Sequence, residues 1–151
     1  MERLLIAVVL VLLAVVVAVV LQRRRPSPPV TTEWNIPAQL DRSDVARPDA
    51  AWLVAVFTSS TCDTCAEVWA KSRHLDAGPD GPVVAQEIEV TADRELHRRY
   101  AIDAVPLVLF ADADGVVVRN FLGPVATADL WAALAEVRRG TDALPAPLDD
   151  R

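Results

Sequence analysis

Residues 57–65 read Phe57-Thr58-Ser59-Ser60-Thr61-Cys62-Asp63-Thr64-Cys65 and contain both cysteines of the chain. An apolar run, Trp52 to Phe57, precedes this stretch, and a helix-like stretch, Ala66 to Leu75, follows it. A Cys-x-x-Cys pair at a strand-to-helix turn is typical of a redox site. The unpaired N–H groups and the dipole at a helix N-terminus favour an anion, and therefore the reactive thiolate form of Cys62. Cys65, one helical turn further, is placed to attack a mixed disulfide made by Cys62.

The remaining hydrophobic pattern predicts alternating strands and helices. We expect, in chain order, an edge strand over 31–36, a short helix over 39–46, a buried strand over 52–57, a helix over 62–75, a strand over 83–90, a helix over 91–100, a strand over 107–110, a returning antiparallel strand over 116–121 and a last helix over 127–139. This order predicts an α/β fold with helices on both faces of a mixed sheet. The cysteine loop then lies at the carboxyl end of a central strand, where open α/β sheets place their sites.

Individual residues within these elements carry further expectations. The expected helix caps are Ser60 or Thr61, then Thr91 and Thr127, with Gly140 ending the last helix. The expected core side chains of the helices are Val68, Trp69, Leu75, Leu96, Tyr100, Leu130, Trp131, Leu134 and Val137, whereas His97 is expected to be exposed. Residues 112–115, Asp-Ala-Asp-Gly, predict a hairpin turn, and their two aspartates do not suffice for a calcium loop.

The N-terminus contains an uninterrupted run of 18 apolar residues, Leu4 to Leu21, long enough for a membrane-spanning helix. A cleaved signal peptide is the alternative, but we find no good small-x-small cleavage site at the end of the run. Three arginines follow the span and one precedes it, and this bias favours a cytoplasmic C-terminal domain over an extracytoplasmic one. Residues 1–25 are therefore interpreted as the anchor, 26–30 as a linker, and 140–151 as a disordered acidic tail.

The charge of the chain excludes one class of partner. Its formal net charge is −6, and residues 26–151, with 11 basic and 20 acidic side chains, carry −9. An acidic domain without a basic stripe is a poor nucleic-acid binder. The two cysteines enclose too small a loop to act as a structural staple.

Residues 31–139 resemble the thioredoxin superfamily. The resemblance rests on the strand before Cys62-Asp63-Thr64-Cys65, on residues 100–106 (Tyr-Ala-Ile-Asp-Ala-Val-Pro), on the 41-residue step from Cys65 to Pro106, and on the order of Gly115 and Gly123. It implies a three-layer α/β/α fold and a cis Pro106. A cis proline there would place the backbone of Val105 beside Cys62, where an extended substrate can pair as an added strand. It also implies that Thr61, Asp63 and Thr64 contact the substrate.

The sequence departs from thioredoxins proper at the positions that tune this chemistry. Thioredoxins have Trp before the first cysteine, Gly-Pro between the cysteines and Thr after the cis proline, where this chain has Thr61, Asp63-Thr64 and Leu107. Val56 matches the family's buried aspartate, and Glu87 matches its partner lysine. Glu87 is either a replacement proton acceptor for Cys65 or an ordinary solvated strand residue.

We therefore predict a membrane-anchored thiol–disulfide oxidoreductase in which Cys62 attacks protein disulfides and Cys65 resolves the mixed disulfide. Asp63 favours a more reducing couple and the helix dipole opposes it, so we lean towards a reductase. The expected partners are protein thiols and disulfides and a reductant or oxidant protein, with no cofactor beyond the Cys62–Cys65 disulfide and no metal. The alternatives are a binding or sensor module on the same fold, and a metal-delivery protein using both cysteines and His74, an incomplete ligand set.

Overall fold

The computed structural model describes residues 34–142, so the predicted anchor, the linker and residues 143–151 of the predicted tail lie outside the described residues. Its elements are β1 (Trp52–Thr58), α1 (Asp63–Ser72), β2 (Val83–Glu89), α2 (Arg94–Arg99), β3 (Leu107–Ala111), β4 (Val117–Leu122) and α3 (Thr127–Asp142), with short 3-10 turns at Arg42–Asp44 and Arg73–Leu75. Within this range no helix has the length and apolarity that crossing a bilayer requires.

The four strands form one mixed sheet in the order β2-β1-β3-β4. β1 runs parallel to β2 and antiparallel to β3, and β4 returns antiparallel to β3. All seven residues of β1 are buried, because this strand has neighbours on both edges and layers on both faces. A continuous apolar run is the pattern of such a strand, so the prediction for residues 52–57 is confirmed.

Helices cover both faces of the sheet, as predicted. One core lies between the sheet and helices α1 and α3; its members include Val54, Val56, Val68, Val108, Phe110, Leu130 and Leu134. The second core lies on the opposite face, under α2 and the N-terminal segment, and includes Leu40, Leu53, Phe57, Ile88 and Leu109, with Leu96 and Tyr100 partly buried against it. Residues 34–142 thus form a three-layer α/β/α arrangement of four strands and three helices.

The N-terminal segment differs from its prediction. The described part of the expected edge strand, residues 34–36, is not a strand, and the expected helix over 39–46 is a single 3-10 turn. The cause is Arg42, which is buried and donates 2.8 Å hydrogen bonds to the carbonyl oxygens of Asp112 and Ala50. These long-range bonds fold the segment against the hairpin, where Gln39 forms an isolated bridge with Val116.

Four predicted helix boundaries are wrong, and one of them is Thr127, which is the first residue of α3 rather than its cap. The cap of α1 is Cys62 itself, rather than Ser60 or Thr61. α2 begins at Arg94 because residues 91–93 form a turn in which the N–H groups of Thr91 and Ala92 bond to the carboxylate of Glu89. α3 continues through Gly140 to Asp142; an exposed helical glycine costs only about 1 kcal/mol.

Two side chains lie opposite to their predicted environments. His97 is buried: its Nε2 atom lies 2.8 Å from the carbonyl oxygen of Ile88, and its ring packs edge-on against Phe57. Trp131 is 48% exposed, because the inward positions of α3 are taken by Leu130, Ala133 and Leu134. The turn predicted over residues 112–115 is confirmed, since the Asp112 carboxylate accepts the N–H groups of Asp114 and Val116.

Candidate redox site

Cys62 and Cys65 form a disulfide at the start of α1, with their Cα atoms 5.3 Å apart. Cys62 is the N-cap residue, with extended backbone angles, and its Sγ atom accepts a 3.2 Å hydrogen bond from the backbone N–H of Cys65. Cys62 is partly exposed, whereas Cys65 is 1% exposed. An external sulfur can therefore reach Cys62, while Cys65 is accessible only from within the protein.

The loop that carries Cys62 is held by backbone hydrogen bonds. The N–H of Cys62 donates to the carbonyl oxygen of Ser59 at 3.1 Å, and the hydroxyls of Ser59 and Thr61 lie 3.0 Å apart. The N–H of Ser60 donates to the Glu89 carboxylate at 2.9 Å. This bond, with those from Ala92 and Thr91, holds the pKa of Glu89 below its usual value, against the smaller opposing effect of burial. A carboxylate at the end of β2 thus binds the loop that follows β1.

The turn at Val105 and Pro106 lies at the same edge of the sheet. The Val105–Pro106 peptide bond is cis, as the family resemblance implies. Leu107 pairs with Phe57 in the antiparallel register of β1 and β3, so the residues just before Leu107 lie beside the end of β1. Pro106 is buried, and its carbonyl oxygen accepts a 2.8 Å bond from the N–H of Gly123. The cysteine loop and this turn therefore share one end of the sheet.

Glu87 lies on the face of the sheet that α1 covers. It is the register partner of Val56, which belongs to the core under α1 and α3. The next residue of β2, Ile88, faces the second core, and successive side chains of a strand point to opposite faces, so Glu87 faces α1. Its carboxylate is partly buried and accepts a 2.8 Å hydrogen bond from the hydroxyl of Thr58, which is 1% exposed. Within residues 34–142 the carboxylate bonds to Thr58 rather than to either cysteine. The structure thus places Glu87 on the α1 side of the sheet, bonded to the end of β1.

The other candidate residues are dispersed around the pair. Asp63 is exposed as the first residue of α1, Thr61 is exposed in the preceding loop, and Thr64 is partly exposed. His74 is exposed in the 3-10 turn after α1. Among residues 34–142 there is no group of three or more His, Cys, Asp or Glu side chains arranged to hold a metal ion.

Two polar residues of the site were not singled out from the sequence. Thr58 ends the buried strand, and Glu89 is the last residue of the neighbouring parallel strand. The carboxyl ends of adjacent parallel strands meet at one edge of a sheet. Polar residues next to the ends of both predicted strands, 52–57 and 83–90, were therefore a signal for this edge. The sequence does not show which backbone groups they bind.

Neither a protein-family model nor a curated protein matches the sequence. Solved structures do resemble the fold. Thioredoxin-2, a component of the malaria parasite protein secretion machinery, is 14% identical, with a TM-score of 0.51 over 57% of this chain and 82% of its own. The germline-specific thioredoxin Deadhead of Drosophila melanogaster is 21% identical, with a TM-score of 0.52 over 63% of this chain and 89% of its own. At these identities the likeness is one of fold, and the chain has the fold of the thioredoxin superfamily.

Proposed function

We propose that the protein is a thiol–disulfide oxidoreductase that acts on protein disulfides. The observation that carries this proposal is the asymmetry of the pair: Cys62 is partly exposed at the N-cap of α1, and Cys65 is buried one turn behind it. A nucleophile accessible to substrate and a resolving thiol protected from it are what two-step disulfide exchange requires.

The reaction proceeds in two balanced exchanges. The Cys62 thiolate attacks one sulfur of a substrate disulfide, forming a mixed disulfide and releasing the other sulfur as a thiolate. Cys65 then loses its proton and attacks the Sγ atom of Cys62, which releases the second substrate sulfur and leaves the Cys62–Cys65 disulfide. Two electrons pass to the substrate, so a dithiol protein must reduce the pair before the next turnover.

Glu87 is our candidate acceptor for the proton of Cys65. Its orientation toward α1 and its hydrogen bond from Thr58 support this role, and a relay through Thr58 or a water would bridge to the sulfur. Val56 leaves no carboxylate at the position where thioredoxins have one, so a substitute must come from elsewhere on this face.

Substrate binding is assigned to the residues that surround Cys62. In this proposal an extended substrate segment pairs with the backbone at Val105, beside the cis Pro106, and contacts Thr61, Asp63 and Thr64. The exposed negative charge of Asp63 disfavours the Cys62 thiolate relative to the disulfide, which supports a reductase over an oxidase. We further propose that residues 4–21 anchor this domain to a membrane, with the arginine bias favouring the cytoplasmic side.

The test is reduction of insulin disulfides by the full chain in detergent, with dithiothreitol as the electron source. We expect Cys62→Ser to abolish the acceleration over dithiothreitol alone. In a second reaction without dithiothreitol, the Cys65→Ser variant, first reduced and then freed of reductant, should instead accumulate a stable mixed disulfide between Cys62 and insulin, visible by mass spectrometry. If the unsubstituted chain neither accelerates the reduction nor forms a mixed disulfide, the proposal is wrong and a binding module on the same fold replaces it.

A further inference from the structure

The carboxylate of Glu89 joins two loops that are remote in sequence. It accepts the N–H of Ser60 at 2.9 Å from the loop before Cys62, and the N–H groups of Thr91 at 2.7 Å and Ala92 at 3.0 Å from the turn before α2. All three N–H groups donate to the same carboxylate. Hydrogen bonds to an ionised carboxylate are stronger than hydrogen bonds to a neutral acceptor. The contact therefore ties the cysteine loop to the end of the neighbouring strand.

Glu89 is itself fixed at the carboxyl end of β2. Its N–H donates to the Asp93 carboxylate at 3.2 Å, and its carbonyl oxygen accepts the N–H of Asp93 at 2.7 Å. One residue further, the N–H of Val90 donates to the carbonyl oxygen of Thr58 at 3.0 Å, which continues the link between β2 and β1. The side chain that reaches Ser60 thus projects from an anchored backbone.

Ser60 is two residues before Cys62 and is linked to it through the hydrogen bonds of the loop. Ser60 lies between Ser59, whose carbonyl oxygen accepts the N–H of Cys62, and Thr61, whose hydroxyl lies 3.0 Å from that of Ser59. Ser60 and Thr61 are exposed, so burial of their side chains does little to order this loop. Cys62 follows this loop directly, so the conformation of residues 59–61 sets the position of its backbone. That position allows Cys62 to cap α1 and its Sγ atom to accept the N–H of Cys65.

We propose that Glu89 is a positioning residue for Cys62, acting through its hydrogen bond to Ser60. The inference rests on the proposed role of Cys62 as the attacking thiol. Glu89 holds the cysteine loop because its side chain is long enough for a carboxylate oxygen to accept the N–H of Ser60. Its charge contributes in the opposite sense, because an anion near a thiol disfavours the thiolate. These two effects can be separated by substitution.

The matched variants are Glu89→Gln, which keeps the length and one acceptor oxygen without the charge, and Glu89→Asp, which keeps the charge but is one methylene shorter. Glu95→Gln, at an exposed residue of α2, is the control for a lost surface carboxylate. Each full chain is reduced in detergent, and the alkylation rate of Cys62 by iodoacetamide is followed by mass spectrometry. Hydrogen–deuterium exchange of the peptide spanning 59–65 reports the order of the loop.

We expect Glu89→Asp to alkylate about threefold to tenfold slower than the unsubstituted chain, the effect of one ordinary hydrogen bond. The single oxygen of Glu89→Gln can still accept the N–H of Ser60, but its amide nitrogen then faces the N–H groups of Thr91 and Ala92, so its rate should lie between that of Glu89→Asp and that of the unsubstituted chain. Exchange of the loop should increase more in Glu89→Asp than in Glu89→Gln. The proposal is overturned if Glu89→Asp equals or exceeds Glu89→Gln in rate, or if thermal stability falls while both rates stay unchanged. Because alkylation needs no disulfide substrate, failure of the insulin assay would reject the proposed function without deciding the role of Glu89.

Discussion

The hydroxyl of Thr58 donates a 2.8 Å hydrogen bond to the carboxylate of Glu87, linking the ends of two parallel strands on the face that α1 covers. We predict that Glu87→Gln slows the attack of Cys65 on the mixed disulfide about tenfold or more, because general-base assistance usually contributes at least that much. With a chromogenic aromatic disulfide as substrate, the first burst of released thiolate reports Cys62 and the second reports Cys65. Only the second should slow.

The choice of glutamine keeps an oxygen acceptor for the Thr58 hydroxyl, so the fold should tolerate the change. Glu95→Gln serves as the control and should leave both phases unaltered. If both phases of Glu87→Gln match the unsubstituted chain at pH 7, Glu87 is an ordinary strand glutamate and another group accepts the proton.

The Asp76 carboxylate predicts how stability depends on pH. Burial opposes its ionisation, but the N–H groups of Ala85 and Gly78 and the guanidinium of Arg47 outweigh that effect and hold its pKa below the usual value. A carboxyl group with a lowered folded-state pKa stabilises the fold above its unfolded-state pKa, and this contribution is lost as the pH falls through the folded-state value.

We therefore expect Asp76→Asn to lower the free energy of unfolding at pH 7 by about 1–3 kcal/mol, because Arg47 loses its charged partner. The difference from the unsubstituted chain should begin to shrink as the pH falls below about 4, where the unfolded chain starts to bind the proton, and should disappear only below the lower pKa of Asp76 in the folded state. Urea unfolding between about pH 3 and pH 7 measures this. A difference that stays constant with pH would contradict the assignment; Asp80→Asn, at an exposed residue of the next loop, is the control.

Gly115 combines a left-handed backbone with a close approach. Its φ is +82°, and a Cβ atom there would overlap the carbonyl oxygen of Leu40. Gly78 has nearly the same φ, +87°, but open space around the position of a Cβ. Gly78→Ala should therefore cost only the left-handed strain, about 1 kcal/mol, whereas Gly115→Ala should cost at least about 1–3 kcal/mol more from overpacking. Denaturant unfolding of both variants measures this. Equal losses of unfolding free energy would show that the segment containing Leu40 moves away from residue 115 at no cost.

Local pattern predicted β1 from an unbroken apolar run and the location of α1 from a Cys-x-x-Cys at a strand-to-helix turn, although it did not identify Cys62 as the cap of α1. His97 and Trp131 could not be placed in the same way. α2 has only six residues, too few to establish a periodic face, and its rotation is set by the bond from His97 to Ile88. In α3, Leu130 and Trp131 are adjacent and equally apolar, so the pattern did not decide which one faces the sheet.

The same distinction applies to the candidate site. The cysteine pair and the cis proline are contained in short motifs, and the motifs predicted their positions. The role of Glu89 depends instead on a loop 29 residues earlier in the chain, and no local pattern encodes that contact. Arg42 is comparable, because its buried guanidinium satisfies the carbonyl oxygen of Asp112, 70 residues away. Such tertiary hydrogen bonds explain why residues 34–46 form neither a strand nor the predicted helix.

The predicted membrane orientation can be tested through the same two cysteines. If the arginines after residues 4–21 retain the domain in the cytoplasm, a membrane-impermeant maleimide should label Cys62 only after cells producing the full chain are permeabilised. A Cys62→Ser variant controls for background labelling. Labelling of intact cells would place the domain outside, and its dependence on prior treatment with an impermeant phosphine would then distinguish the two directions of electron flow. A pair that reacts only after the phosphine rests oxidised, as an oxidase should, whereas a pair that reacts without it rests reduced and requires electrons supplied across the membrane.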